Sequence, residues 1–263
     1  MKASKPARRI FGFLPSRLSA AEIASQAAAR RRTIEDGVCL VITPNIDHVA
    51  RLRHDGDFAA AYAQADIVTC DGWPVALYAR LRGLPALRVT GYDIAAELLR
   101  NSPLAAWQRL FFVADSEPTA DGLRHWAARR GVADHIGICV PPHGFLDNPA
   151  FCRSLLAQIN AHRTTLLLMG VGAPRSEIFV ARHRSMMVPC WAFCVGQALM
   201  VEAGTIRRAP PALQHVGLEW GWRLVHEPRR LVRRYIGASR GFSLAIYEDL
   251  HRRRPSSTIK APQ

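Results

Sequence analysis

From the N-terminus to about residue 205, short apolar runs alternate with longer stretches of helical spacing. Residues 38–43 (VCLVIT), 67–70, 110–114, 136–140, 165–169 and 189–195 are apolar runs of strand length, and 9–14 reads as a further strand. Between them, Ser19 heads an alanine-rich helix reaching residue 31, and Asn45 precedes a helix carrying Val49 and Leu52. Another helix starts near Pro74, and 118–130, 148–161, 174–184 and 197–203 complete the set. Strands apolar throughout, alternating with helices, predict an α/β fold: a parallel sheet covered by helices on both faces. Ligands of such sheets gather at the carboxyl ends of the strands. Thr43, Asn45, Asp71, Gly91, Gly144 and the turn Gly170-Val171-Gly172-Ala173-Pro174 fall in those loops.

The pattern changes at 204–211, where two prolines and a basic pair precede purely helical spacing. The expected organisation is a catalytic-type domain over 1–205, a small helical basic appendage over 206–251, and a tail over 252–263. Charge sharpens this division. Between Arg207 and Arg254 stand eleven arginines against four acids, a surplus of seven that is half of the chain's +14. Arginine's planar fork suits phosphate, so a basic amphipathic segment points to polyphosphate, nucleic acid or an anionic membrane surface. Pro228 opens a helix in which Arg230, Arg233 and Arg234 share a face, whereas Arg223 lies before that proline. A solvated charged face is the plain alternative, but like charges that close favour a bound anion.

The chain has 263 residues, 49% of them hydrophobic, enough for a full core. No apolar run reaches the roughly 20 residues needed to span a bilayer. The basic, briefly apolar N-terminus is broken by Gly12 and Pro15 and does not read as a signal peptide. Six cysteines in apolar surroundings show no metal-ligand spacing, which suggests a reduced, cytoplasmic setting. No metal and no cofactor is implied, and Asp55-Gly56-Asp57, between two helices, reads as a solvated turn. A basic nucleic-acid-binding protein is the rival reading from charge. It lacks the fingerprint of any standard module, so no nucleic-acid partner is expected.

Asp71 is the sharpest candidate for chemistry, a carboxylate at a strand's carboxyl end beside Gly72, where a ligand can approach the backbone. The plain alternative is a helix cap, and position alone slightly favours the cap. Thr43 and Asn45 are suited to bonding a sugar or nucleotide, although Thr-Pro-Asn is more often a plain turn. Gly170-Val171-Gly172 suits a phosphate at a helix N-terminus, but a glycine pair alone is weak. Gln197 opens another such loop, with a helix-capping turn as its alternative.

Taken in order, the motifs resemble the WecG/TagA/CpsF family of bacterial glycosyltransferases. The residues that carry the likeness are Thr43-Pro44-Asn45, Ala65-Asp66, Asp71-Gly72, Arg88-Val89-Thr90-Gly91-Tyr92-Asp93, His143-Gly144-Phe145, Gly172-Ala173-Pro174-Arg175-Ser176-Glu177, Ala203-Gly204, Arg208-Ala209-Pro210, Gly217-Leu218-Glu219-Trp220 and the run from Arg223 to Tyr235. The resemblance implies a Rossmann-like domain with a membrane-associating appendage on the inner face of the cytoplasmic membrane. It implies transfer, with inversion and without metal, from a UDP-sugar to a polyprenyl-diphosphate-linked saccharide, and it leaves a homo-oligomer open. By position Asp71 is similar to the family's general base, and Thr43 and Asn45 to its substrate-contacting pair. Arg223, Arg230 and Arg233 are similar to arginines that close over the donor diphosphate. Gly72, Arg88, Gly91, Asp93, Gly172, Ser176, Glu177 and Gln197 are the further positions expected to bind substrate. The family commonly reads Pro-Lys-Gln-Glu where this chain has Pro174-Arg175-Ser176-Glu177, and carries an aspartate where this chain has Met200. That glutamine is associated with N-acetylmannosamine donors. Its replacement by Ser176 directs the expectation to a hexose, UDP-glucose foremost, as in the family's GumM-like exopolysaccharide enzymes; N-acetylmannosamine transfer is the alternative.

Overall fold

A computed structural model describes residues 9–101, 104–207, 209–210, 221–222 and 228–251. Six strands, β1 (Cys39–Ile42), β2 (Ile67–Val68), β3 (Leu110–Val113), β4 (Ile136–Cys139), β5 (Leu166–Met169) and β6 (Trp191–Cys194), form one sheet in the order β2-β1-β6-β5-β3-β4. Every pairing is parallel, with Cys39–Ile42 aligned on Trp191–Cys194 and Leu166–Met169 aligned on both neighbours. Four of the strands are buried along their whole length, as continuous apolar runs demand in a sheet covered twice.

Side-chain alternation divides the core between the two faces. Leu40, Ile42, Phe111, Val113, Leu167, Met169 and Ala192 belong to one core. Against them pack α2 (Ile46–Arg51), α3 (Gly56–Ala63), α4 (Trp73–Leu81), α7 (Pro149–Ala161) and α8 (Arg175–His183), with part of α10 (Pro228–His251). Cys39, Val41, Leu110, Phe112, Leu168 and Phe193 face the other core, built by α1 (Ala20–Ala29), α5 (Gly91–Ala96), α6 (Glu117–Arg129) and α9 (Ala198–Glu202). Local chemistry sets the ends of these helices. Ser19 and Glu22 form a capping box on α1, and Asn148 with Pro149 starts α7. Asp55, expected in a solvated turn, instead caps α3 by accepting from Phe58 N (3.0 Å), and Asp57 pairs with Arg182.

Residues 9–14 do not form a sheet strand. Gly12, at φ 91°, turns the chain back on itself, and Ile10 and Phe13 bridge each other instead. The turn plugs the core: Ile10 is fully buried, and the Phe11 ring stacks on Tyr78 with centroids 4.8 Å apart.

The last described helix, α10, is bound to the sheet and its helices between Gly237 and Asp249. Its Gly241 lies against α2, where an added Cβ would stand 2.5 Å from that of Ala50. Further along, Ala245 joins the core and Asp249 accepts from Phe11 N, Tyr78 Oη and Arg82 Nη1. Gly241→Ala is expected to cost about 1–3 kcal/mol of unfolding free energy, because the contact is backbone-close and neither helix can yield cheaply. Chemical denaturation of the variant measures this. No helix among the described residues is long and apolar enough to cross a membrane.

Candidate functional site

The carboxyl ends of β1, β2, β3, β5 and β6 open into a cavity of about 690 Å³. Thr43, Asn45, Asp71, Gly91, Gly172, Glu177 and Gln197 line it, so seven of the expected site residues are brought together by the sheet. Backbone bonds fix their arrangement. Asp71 N donates to Pro44 O (2.8 Å), which ties the loop after β2 to the Thr43-Pro44-Asn45 turn. Thr43 Oγ1 donates to Cys194 O (3.2 Å), joining that turn to β6.

Helix α4 takes Gly72, at φ 91°, as its N-cap residue rather than Asp71. Asn45 both caps and lines the cavity. Its Oδ1 accepts from Asp47 N (2.9 Å) and His48 N (3.2 Å), which leaves its amide nitrogen as the group for a ligand. Gly91 permits close packing at the cavity wall: a Cβ there would lie 2.8 Å from Val195 O and 3.4 Å from Thr43 Oγ1.

Four expected residues stand off the lining. Gly72 turns the backbone into α4. Arg88 is half-buried. Asp93 forms a capping box with Thr90, its Oδ2 accepting from Thr90 N (3.0 Å). Ser176 is buried, with Oγ 3.4 Å from Gly172 O. Arg223 lies outside the described residues. Arg230 and Arg233 are in the first turns of α10, but their side chains are also outside what is described.

Sequence reasoning missed His48, Arg51, Asp115 and the α10 pair Gly237 and Ala238, all of which line the cavity; Arg175 and Met200, named there only as departures from the family pattern, line it too. Asp115 follows the end of β3 as Asp71 follows β2, so the strand-end rule that singled out Asp71 applies to it equally. His48 and Arg51 follow Asn45 at three-residue steps on one helix face. Nothing local marks Gly237 and Ala238, because the packing of α10 on α2 brings them there.

Glu177 carries the clearest electrostatic signature. It lies in the first turn of α8, is 2% exposed, and its Oε2 has no hydrogen-bond partner among the described residues. Burial pushes its carboxyl up to about 7, and its own backbone N–H, Arg51 and Arg175 oppose this without overcoming it. The stability that this group contributes is complete below its unfolded value near 4.5 and is lost as pH rises to about 7. A shift of that size corresponds to about 3 kcal/mol. Glu177→Gln is therefore expected to flatten the pH dependence of unfolding between pH 4.5 and 7, as urea titrations at stepped pH will show. Nearby, His48 Nδ1 and Tyr62 Oη are 2.8 Å apart beneath the same wall.

A cavity at the strand ends of a doubly covered parallel sheet, walled by carboxylates and arginines, lies where α/β proteins bind their polar ligands. The chain belongs to the glycosyl transferase WecG/TagA/CpsF family, whose model matches residues 8–256. It is thus a glycosyltransferase. Among curated proteins it is similar to an N-acetylglucosaminyldiphosphoundecaprenol N-acetyl-beta-D-mannosaminyltransferase of Bacillus spizizenii, 24% identical over 193 residues that cover 72% of each chain.

Proposed function

We propose that the protein transfers a hexose, UDP-glucose being the favoured donor, to a saccharide carried on a polyprenyl diphosphate, with inversion and without a metal, in exopolysaccharide or related envelope glycan synthesis. The observation that carries this reading is the position of Asp71, hydrogen-bonded beside the Thr43-Pro44-Asn45 turn on the wall of a cavity large enough for a nucleotide sugar. Asp71 takes the proton of the acceptor hydroxyl as its oxygen attacks the anomeric carbon, and UDP leaves from the opposite face. Arginines neutralise the departing diphosphate in place of a metal. Arg51 and Arg175 already line the cavity, and Arg230 and Arg233 precede its Gly237 in the same helix. The family resemblance extends the clamp to Arg223. The basic C-terminal segment also suits an anionic membrane surface, which would hold the enzyme where its lipid acceptor resides.

The donor preference follows from two substitutions. Met200 places a thioether on the lining, and Ser176 turns to Gly172 O, off the lining, in place of a glutamine. The second reading, N-acetylmannosamine transfer, is favoured by the name of the Bacillus relative. Purified protein incubated with polyprenyl-diphosphate-sugar analogues and a panel of UDP-sugars, with products weighed by mass spectrometry, decides between them. Failure to release UDP from any donor sinks both. Charge reversal at Arg230 and Arg233 together is expected to lower turnover by about 100-fold, the scale of losing transition-state anion stabilisation.

A further inference from the structure

The exposed face of α4 starts two residues beyond Asp71 and carries no group that the proposed chemistry uses. Trp73, Leu77, Arg80 and Leu81 share that face by helical spacing, while Val75, Ala76, Tyr78 and Ala79 bury the other. Trp73 is 41% exposed, Leu77 53% and Leu81 76%. An apolar line about 12 Å long therefore leads away from the end of β2. Large apolar side chains aligned in water mark a surface that receives something.

Arg80 supplies the cation of this face. Its guanidinium lies 5.8 Å from the centroid of the Trp73 ring, and its Nε donates to Ala86 O (3.1 Å), which holds the group in place. Among the described residues neither Nη has a hydrogen-bond or ion-pair partner, so both are presented to a ligand. Arg82, by contrast, is already paired with Asp249. From Gly72 to Tyr92 the sequence carries three arginines and no acid, so no carboxylate of this segment opposes an anion.

We propose that this face of α4 is the acceptor track: the saccharide rests on the Trp73 ring, its diphosphate pairs with Arg80, and its first isoprene units lie along Leu77 and Leu81. The inference rests on the proposed reading of a polyprenyl-diphosphate-linked acceptor and gives that acceptor a path. Order selects the ligand. Read away from Asp71, the face offers an aromatic plane, a planar cation and then hydrocarbon. The acceptor, read from its reacting hydroxyl, presents a sugar, a diphosphate and then hydrocarbon. Arg80 follows Leu77 in sequence, but its head group reaches back to Trp73, so the cation comes before Leu81. The C–H face of a sugar packs on indole, the guanidinium fork matches phosphoryl oxygens, and the leucines exchange water for isoprenoid. The donor occupies the cavity, and Asp71 stands where the two substrates meet.

Calorimetry on the full chain with UDP present tests the track with three probes. They are farnesyl-diphosphate-linked N-acetylglucosamine, the same compound with methyl in place of farnesyl, and farnesyl N-acetylglucosaminide, which lacks the diphosphate. The wild type is expected to bind the complete probe at least about 10-fold more tightly than either truncated form. Leu77→Ser combined with Leu81→Ser should erase the advantage of the farnesyl chain, and Arg80→Gln that of the diphosphate. Trp73→Ala should weaken all three probes by about 10-fold. UDP affinity should hold in every variant, which also reports that each is folded. No binding of the complete probe, equal wild-type affinity for all three, or unchanged affinity in Trp73→Ala overturns the track. So does equal weakening of all three probes by the leucine or arginine variants. Loss of vesicle binding in the leucine variant, with probe affinity kept, overturns it in favour of direct contact with a bilayer. Each of these leaves UDP binding, and with it the transferase reading, in place; failure of the wild type to bind UDP removes both. The wild-type ranking of the probes needs no variant, so a misfolded substitution does not obscure the result.

Discussion

Asp71→Asn is expected to cut turnover by about 10²–10⁴-fold, the range that a positioned general base supplies. Asparagine has nearly the same shape, and the backbone bond from residue 71 to Pro44 O, which sets the loop, does not involve the side chain. The variant should therefore bind UDP with largely unchanged affinity while losing the ability to accept a proton. UDP release in the presence of acceptor, alongside calorimetric UDP binding, separates the two effects. Near-normal turnover would remove Asp71 from the base role and turn attention to Asp115, the other strand-end carboxylate on the lining.

The second large effect lies away from the chemistry. Asp249→Ala is expected to cost about 3–5 kcal/mol, because it strips a buried charge pair of one partner. Asp249 Oδ2 lies 2.8 Å from Arg82 Nη1, and the two side chains are only 8% and 14% exposed. The same carboxylate accepts from Tyr78 Oη (2.7 Å) and from Phe11 N (2.8 Å), so three donors lose their acceptor at once. Burial and Asp249 push the Tyr78 hydroxyl up to about 12, which keeps its proton in place to donate. Urea unfolding followed by tryptophan fluorescence measures the loss. A change below about 1 kcal/mol, ordinary for a surface site, would mean that this cluster does not secure α10.

The sheet was legible because its strands are apolar on both faces. Runs such as 110–114 and 165–169 admit only a buried strand of four or five residues, and the observed strands fall within them. Helix starts were legible where a capping side chain is local, as at Ser19 and Asn45. Residues 9–14 misled because their apolar character serves a plug rather than a strand, and the positive φ of both Phe11 and Gly12 makes the difference. The position of α10 was illegible for a plainer reason. Its anchoring partners, Phe11, Tyr78 and Arg82, are 238, 171 and 167 residues away, and no window of local pattern connects them. The strand-end rule found Thr43, Asn45, Asp71, Gly91, Gly172 and Gln197 on the lining. The burial of Glu177 was beyond it, since a glutamate in the first turn of a helix ordinarily faces solvent and is favoured there as an anion.

Gly237 and Ala238 give the cavity part of its wall, although the remainder of that wall is complete by Met200. Translation runs from the amino end, so the nascent chain can assemble its whole sheet before the segment that finishes the chamber has left the ribosome. Competence to hold ligand is thereby deferred to the last stage of synthesis, and a prematurely terminated product would lack both that part of the vessel and the acceptor that Phe11, Tyr78 and Arg82 share.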